Sequence, residues 1–193
     1  VGLPGEDLAS FAVGFNRLVA LDPHEIQVGI LKRLRGAPIN RHSAEFDCRY
    51  NPHPPYNLLC SRLLDFPTMR RLERFARFWD LIGNSGRFRH ARPLLLGDDP
   101  FGRFMALSDW LFAQTGQTHR FALERLFDLL YRGLIEALGV SDSAALVALA
   151  EDYRDNGAKG SPAFLRARSV QASRQTVIRH KSGAAPNRQA RHR

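Results

Sequence analysis

The sequence predicts a mainly helical protein with a partial α/β start and a basic, unpatterned end. Three observations carry that class. Apolar residues recur at helical spacing in four stretches between 67 and 155, each bounded by a cap or a glycine. Residues 1–39 read strand, helix, strand. From about Leu165 onward no apolar period remains, only Arg, Ser, Ala, Gln and His, which predicts disorder. The expected organisation is an α/β segment at 1–39, a connector at 40–66, a helical domain at 67–155 and a basic tail at 156–193.

The α/β start rests on two extended stretches. The first is Val1–Glu6, VGLPGE, and the second Glu25–Leu31, in which Ile26, Val28 and Ile30 share a face. Between them Leu8, Phe11, Ala12, Phe15, Leu18 and Val19 form one apolar stripe, with Glu6 and Asp7 favouring the helix start. A βαβ unit with a right-handed crossover follows, its strands parallel and both C-terminal ends on one edge. Pro4-Gly5-Glu6 and the basic loop Lys32–Pro38 both fall on that edge, where α/β sheets and barrels place their sites. Two parallel strands are too few to stand alone. The chain is therefore expected to be the tail of a longer protein or a truncated product, with the missing N-terminal part as its partner. The alternative is a short first strand in a small α+β domain.

In the connector, Pro52, Pro54 and Pro55 forbid a regular helix. Asp65 is the expected N-cap of a helix over 68–83. Its apolar face is Met69, Leu72, Phe75, Ala76, Trp79 and Ile82, with Arg70, Arg71, Arg74 and Arg77 around the other side. Leu94–Leu96 is too short to assign. Phe101–Ala113 reads as a helix ended by Thr115-Gly116. Thr118 is the expected cap of the next, His119–Leu138, and Ser141 or Ser143 caps a last one to about Tyr153. Because these helices carry their own stripes and caps, 67–155 is expected to fold apart from 1–39.

Composition narrows the function classes. The net charge of +9 is uneven: eight Lys and Arg and no acid fall within 166–193, so the rest is close to neutral. Nucleic acid is not an expected partner of the folded part, because a basic stripe would have to be local. No stretch reaches the ~20 apolar residues of a membrane span, and no charged n-region precedes an apolar run. A cytoplasmic location and no membrane partner follow. Cys48 and Cys60 lack metal-site spacing and read as free thiols, a single bridge between them being the other option.

Two motifs resemble a known family. Gly2–Glu6, GLPGE, followed by a helix and a strand, resembles the last part of a radical S-adenosylmethionine (SAM) barrel. Leu31–Ile39 is similar to that superfamily's LxxxPGTPL loop, with Arg35-Gly36-Ala37-Pro38 in place of PGTP. The similarity is closest to cobalamin-binding radical SAM proteins, which carry a helical C-terminal domain of unknown function. Phe75–Phe88, Ser108–His119 and Ala122–Leu130 look like that domain. The similarity covers 1 to about 138, and RQARH near the end. The resemblance implies SAM, a 4Fe-4S cluster and cobalamin in the full-length parent. It implies none bound by this chain alone, which lacks the CxxxCxxC cluster motif and is expected to be inactive by itself. It also implies that Gly2, Pro4, Gly5, Glu6, Lys32 and Arg33 lie on the barrel rim near SAM or substrate.

Each candidate has a plainer counterpart. Pro4-Gly5 is also a tight strand-to-helix turn, and Lys32 and Arg33 are also solvent-facing charges. Ser108, Asp109 and His119 are triad residue types without a G-x-S-x-G elbow. Asp109 and Gln117 suit interhelix hydrogen bonds. Trp79, Asp80, Asn84, Ser85 and Arg87 form a polar-aromatic group at a helix end. His42 and His53 lie near Cys48 without ligand spacing. A second function class is a small helical binding module using the arginine face of 68–83 and the basic tail to hold RNA or an acidic partner.

Overall fold

The computed structural model describes residues 1–157 and 160–167, and the basic tail beyond falls outside them. The described chain is mainly α-helical. Helix α1 spans Leu8–Ala20, α2 Phe66–Phe78, α3 Arg92–Leu96, α4 Pro100–Thr115, α5 Leu123–Glu136 and α6 Asp142–Asp155. A 3-10 turn covers Pro38–His42, and a short helical turn at 163–167 follows α6. Two short antiparallel strands, β1 (Arg49–Tyr50) and β2 (Leu58–Cys60), pair across the connector.

Caps explain most helix starts. The Asp7 carboxylate accepts from Ser10 N at 2.7 Å while Ser10 Oγ accepts from Asp7 N, a reciprocal box. Asp65 accepts from Thr68 N, with Pro67 in the first turn, and Ser141 caps α6. Both aspartates are held below the usual carboxylate range, chiefly by their hydrogen bonds to Ser10 and Thr68 respectively. Helix α5 starts at Leu123, later than expected. Arg120 takes a φ of 61°, a left-handed value that no helix interior accepts, and Ala122 caps without a side-chain bond.

Helix α2 runs directly into a π turn, Trp79–Gly83, in which Asn84 N donates to Trp79 O at 3.0 Å. Gly83 lies under the Trp79 indole, where a Cβ would sit 2.7 Å from ring atoms, so only glycine fits.

The two extended stretches of the α/β start are not regular strands, yet they meet. The Val1 nitrogen donates to Gly29 O at 2.7 Å and Leu31 N donates to Val1 O at 2.9 Å. That alternation is the parallel pattern with Val1 opposite Ile30. Further along, Leu58 N donates to Leu31 O and Arg33 N to Tyr56 O, an antiparallel bridge of Lys32 with Asn57. Residues 29–33 therefore continue the β1–β2 hairpin.

One core joins all of this. Phe15 is 2% exposed and meets Phe75 at 5.0 Å and Trp79 at 4.8 Å edge-to-face; Phe101 and Phe104 close the group around Phe75. Residues 1–39 and 67–155 therefore share this packing. Of the α1 stripe, Phe15 is buried between α2 and α4, with Leu8, Phe11, Ala12 and Val19 half-buried beside it and Leu18 exposed. Order also runs past 155. Phe164 is buried with its ring stacked 4.6 Å from that of Tyr131, and Asp128 accepts from the backbone of Ala163 and Phe164.

Helices α3 and α6 are tied through Asp152 and Asp155. Asp152, 1% exposed, accepts from His90 N at 2.8 Å and Ala91 N at 2.9 Å. The His90 ring meets Asp155 at 3.0 Å, a bond that raises its pKa above the ordinary imidazole value. A raised value means stabilisation fully present below about pH 6.5 and lost as pH rises through the folded pKa. The melting-temperature gap between wild type and His90→Gln should accordingly shrink from pH 5.5 to pH 8. A gap constant across that range would remove the ion pair from the account.

Candidate functional site

An open groove of about 690 Å³ lies between the connector hairpin, α2 and the end of α4. Val28–Ile30 and Lys32 form one side, Asn51–Leu59 of the hairpin a second, and the polar face of α2 a third. The end of α4 and the turn before α5 contribute Phe112, Gln117, Thr118 and His119.

The arginine face of α2 supplies most of the charge, and much of it is internally balanced. Asp109 on α4 accepts from Arg71 Nη2 at 2.6 Å and Nε at 3.0 Å, and lies 3.6 Å from Arg74. The carboxylate raises the Arg71 pKa further. Arg74 also stacks over Phe112, 4.5 Å from its centroid. Arg70 pairs with Glu73 one turn away. Lys32 and Arg77 line the groove without an ion-pair partner among the described residues.

Asn84 braces the wall at 26–30. Its side chain accepts from Ile26 N and donates to Ile26 O, both at 3.1 Å, and also donates to Asp80. A side-chain amide here does what a neighbouring strand does elsewhere.

Of the rim residues singled out from sequence, Lys32 alone lines the groove. Gly2 is buried with φ 88°, and a Cβ there would collide with Leu58. The Glu6 carboxylate folds back to accept from Gly2 N at 2.6 Å and Leu3 N at 3.3 Å, closing the Pro4-Gly5 turn on itself. Arg33 sits 6.0 Å from the Tyr50 ring centroid, away from the groove.

The triad types are not assembled. Ser108 is fully buried, Asp109 is committed to arginines, and His119 is exposed in the groove wall. His42 pairs with Glu45, and Cys48 and Cys60 are free thiols. Among the described residues no three His, Cys, Asp or Glu side chains are grouped to hold a metal ion, and no helix is long and apolar enough to cross a membrane.

Sequence reasoning missed Asn57, Leu59 and Phe112 as groove residues. Only the prolines beside Asn57 hinted that the connector folds back.

Residues 44–187 match the model of a family described as proteins of unknown function, DUF4080. The chain belongs to that family. No curated protein and no solved structure matches it. The DUF4080 match starts after Lys32, so the groove has walls on both sides of its boundary: 28–32 before it, and the hairpin, α2 and α4 within it.

Proposed function

We propose that the chain is the C-terminal part of a cobalamin-dependent-type radical SAM enzyme, with 1–39 ending its barrel and the DUF4080 portion forming the cap beside it. The observation that carries the reading is the parallel pairing of Val1 with Ile30 across α1, ahead of the DUF4080 match that begins at residue 44. That order supports the arrangement the GLPGE and 31–39 motifs imply.

The cofactors belong to the preceding part of the same protein in this reading. Cys48 precedes β1 and Cys60 ends β2 opposite Arg49, and two thiols do not make the three-thiolate set a cluster needs. No step is assigned to them. What the chain's own residues contribute is a groove wall beside the barrel end: Lys32 and the α2 face to bind and orient substrate, with Phe112 and Leu59 to exclude water.

The alternative, an RNA-binding module, is weakened by the pairing of Arg70, Arg71 and Arg74 with Glu73 and Asp109. Few cations on that face remain free to displace counterions from a polyanion.

The decisive test is the in-frame coding sequence upstream of Val1. A CxxxCxxC motif about 150 residues earlier is expected from barrel size. The extended protein, reconstituted anaerobically and reduced, should cleave SAM to 5′-deoxyadenosine, and this chain alone should not. An upstream frame without the motif, or no cleavage by the extended protein, overturns the reading.

A further inference from the structure

The groove carries more information than its position. Counting the groove cations with Arg71, which shares Asp109, gives five: Lys32, Arg70, Arg71, Arg74 and Arg77. Three acids oppose them: Glu73, Asp80 and Asp109. The site is left with two uncompensated positive charges, and the two cations without acidic partners, Lys32 and Arg77, come from different walls.

Two buried polar atoms in the same walls also lack hydrogen-bond partners: Asn57 Oδ1, an acceptor, and Arg74 Nε, a donor. Buried groups of this kind are costly to leave unmet, and both are enclosed by the groove walls, so a bound molecule would meet them only if the side chain turned outward. The remaining lining includes Val28, Ile30, Leu59 and Phe112, which suits an organic body rather than a bare ion. A volume of about 690 Å³ is of the size that holds a small metabolite.

We propose that the groove binds a small organic phosphate monoester. Its phosphate would sit between Lys32 and Arg77, and its organic part against Val28, Ile30 and Leu59. The excess of two charges matches a phosphate monoester, which carries close to two negative charges at neutral pH, better than a carboxylate with one. Arg77 offers the planar fork that suits phosphate oxygens, and Lys32 a point charge. The inference does not require radical chemistry. It is tested on this chain alone, so its failure and the failure of the enzyme reading are separate results.

The probe is phenyl phosphate, titrated into the ¹⁵N-labelled chain at pH 7.5 and followed by amide shifts, with benzoate and inorganic phosphate as parallel titrations. Saturable shifts should appear at Lys32, Arg77 and Gln117, with phenyl phosphate binding more tightly than either comparison anion. Arg77→Gln should weaken it about tenfold, the loss of one charge-assisted contact. Lys32→Met should weaken it as well, and Arg125→Gln, an exposed cation outside the groove, should not. Both Lys32 and Arg77 are exposed, so neither variant threatens the fold. Equal affinity for benzoate, unchanged affinity in both groove variants, or shifts that never saturate would each overturn the proposal.

Discussion

Phe15→Ala should destabilise the whole chain by about 3–5 kcal/mol, the range for emptying a buried phenylalanine site. The ring is fully enclosed and meets Phe75, Trp79 and Phe101, so its loss strips edge-to-face partners from α2 and α4 together. Urea unfolding followed by far-ultraviolet circular dichroism would give the number from one transition. Two transitions, with α4 and α5 retaining wild-type stability, would show an independent helical domain. Hydrogen exchange adds a second reading, since a shared core predicts that the amides of α1 slow with those of α4 rather than exchanging freely.

Asp152→Ala is the second large effect. It leaves the amide N–H groups of His90 and Ala91 without their acceptor, the Ala91 group in a fully buried place and the His90 group in a part-buried one. A buried orphaned group costs about 1–3 kcal/mol, so the loss should be roughly 2–3 kcal/mol, most of it from Ala91. Asp152→Asn should recover little, because one of its two side-chain groups is a donor facing a donor. The carboxyl has a raised pKa, since burial outweighs the two N–H donors that favour its ionised form. The sign follows: its stabilisation is complete below the ordinary carboxylate pKa of about 4 and is lost as pH rises through the higher folded value. Wild type should therefore show a downward stability slope above pH 4 that Asp152→Asn flattens. An alanine variant within ~0.5 kcal/mol of wild type would show that the His90–Ala91 turn finds other acceptors.

The helices were legible in the sequence because their causes are local. Met69, Leu72, Phe75 and Ala76 declare the buried face of α2 within two turns, and Asp65 and Ser141 declare its start and that of α6. The interhelix role of Asp109 was legible too, since a lone acid on a helix facing an arginine-rich one has few other partners. The groove was not. Its walls come from 28–32, 51–59, 70–80 and 112–119, and along the chain each polar residue there resembles a solvated one. Asn84 shows why. Its amide serves Ile26, 58 residues away, and nothing around Asn84 announces that debt. The parallel pairing of Val1 with Ile30 was legible from the βαβ pattern, whereas its antiparallel continuation through Lys32 and Asn57 depends on how the proline-rich connector returns. The start of α5 was misplaced because a left-handed arginine leaves no mark in composition.

The π turn at Trp79–Gly83 makes this protein sensitive to length in a way that substitution would not reveal. One extra residue is stored in that turn, and each helical residue advances the face by about 100°. Deleting any one of the five would let the helix run on with ordinary spacing and swing everything beyond it by that angle. Asn84 would lose its reach to Ile26 at the same stroke. Here the chain works as a ruler: the number of residues between Phe78 and Asn84 is itself part of the groove's architecture.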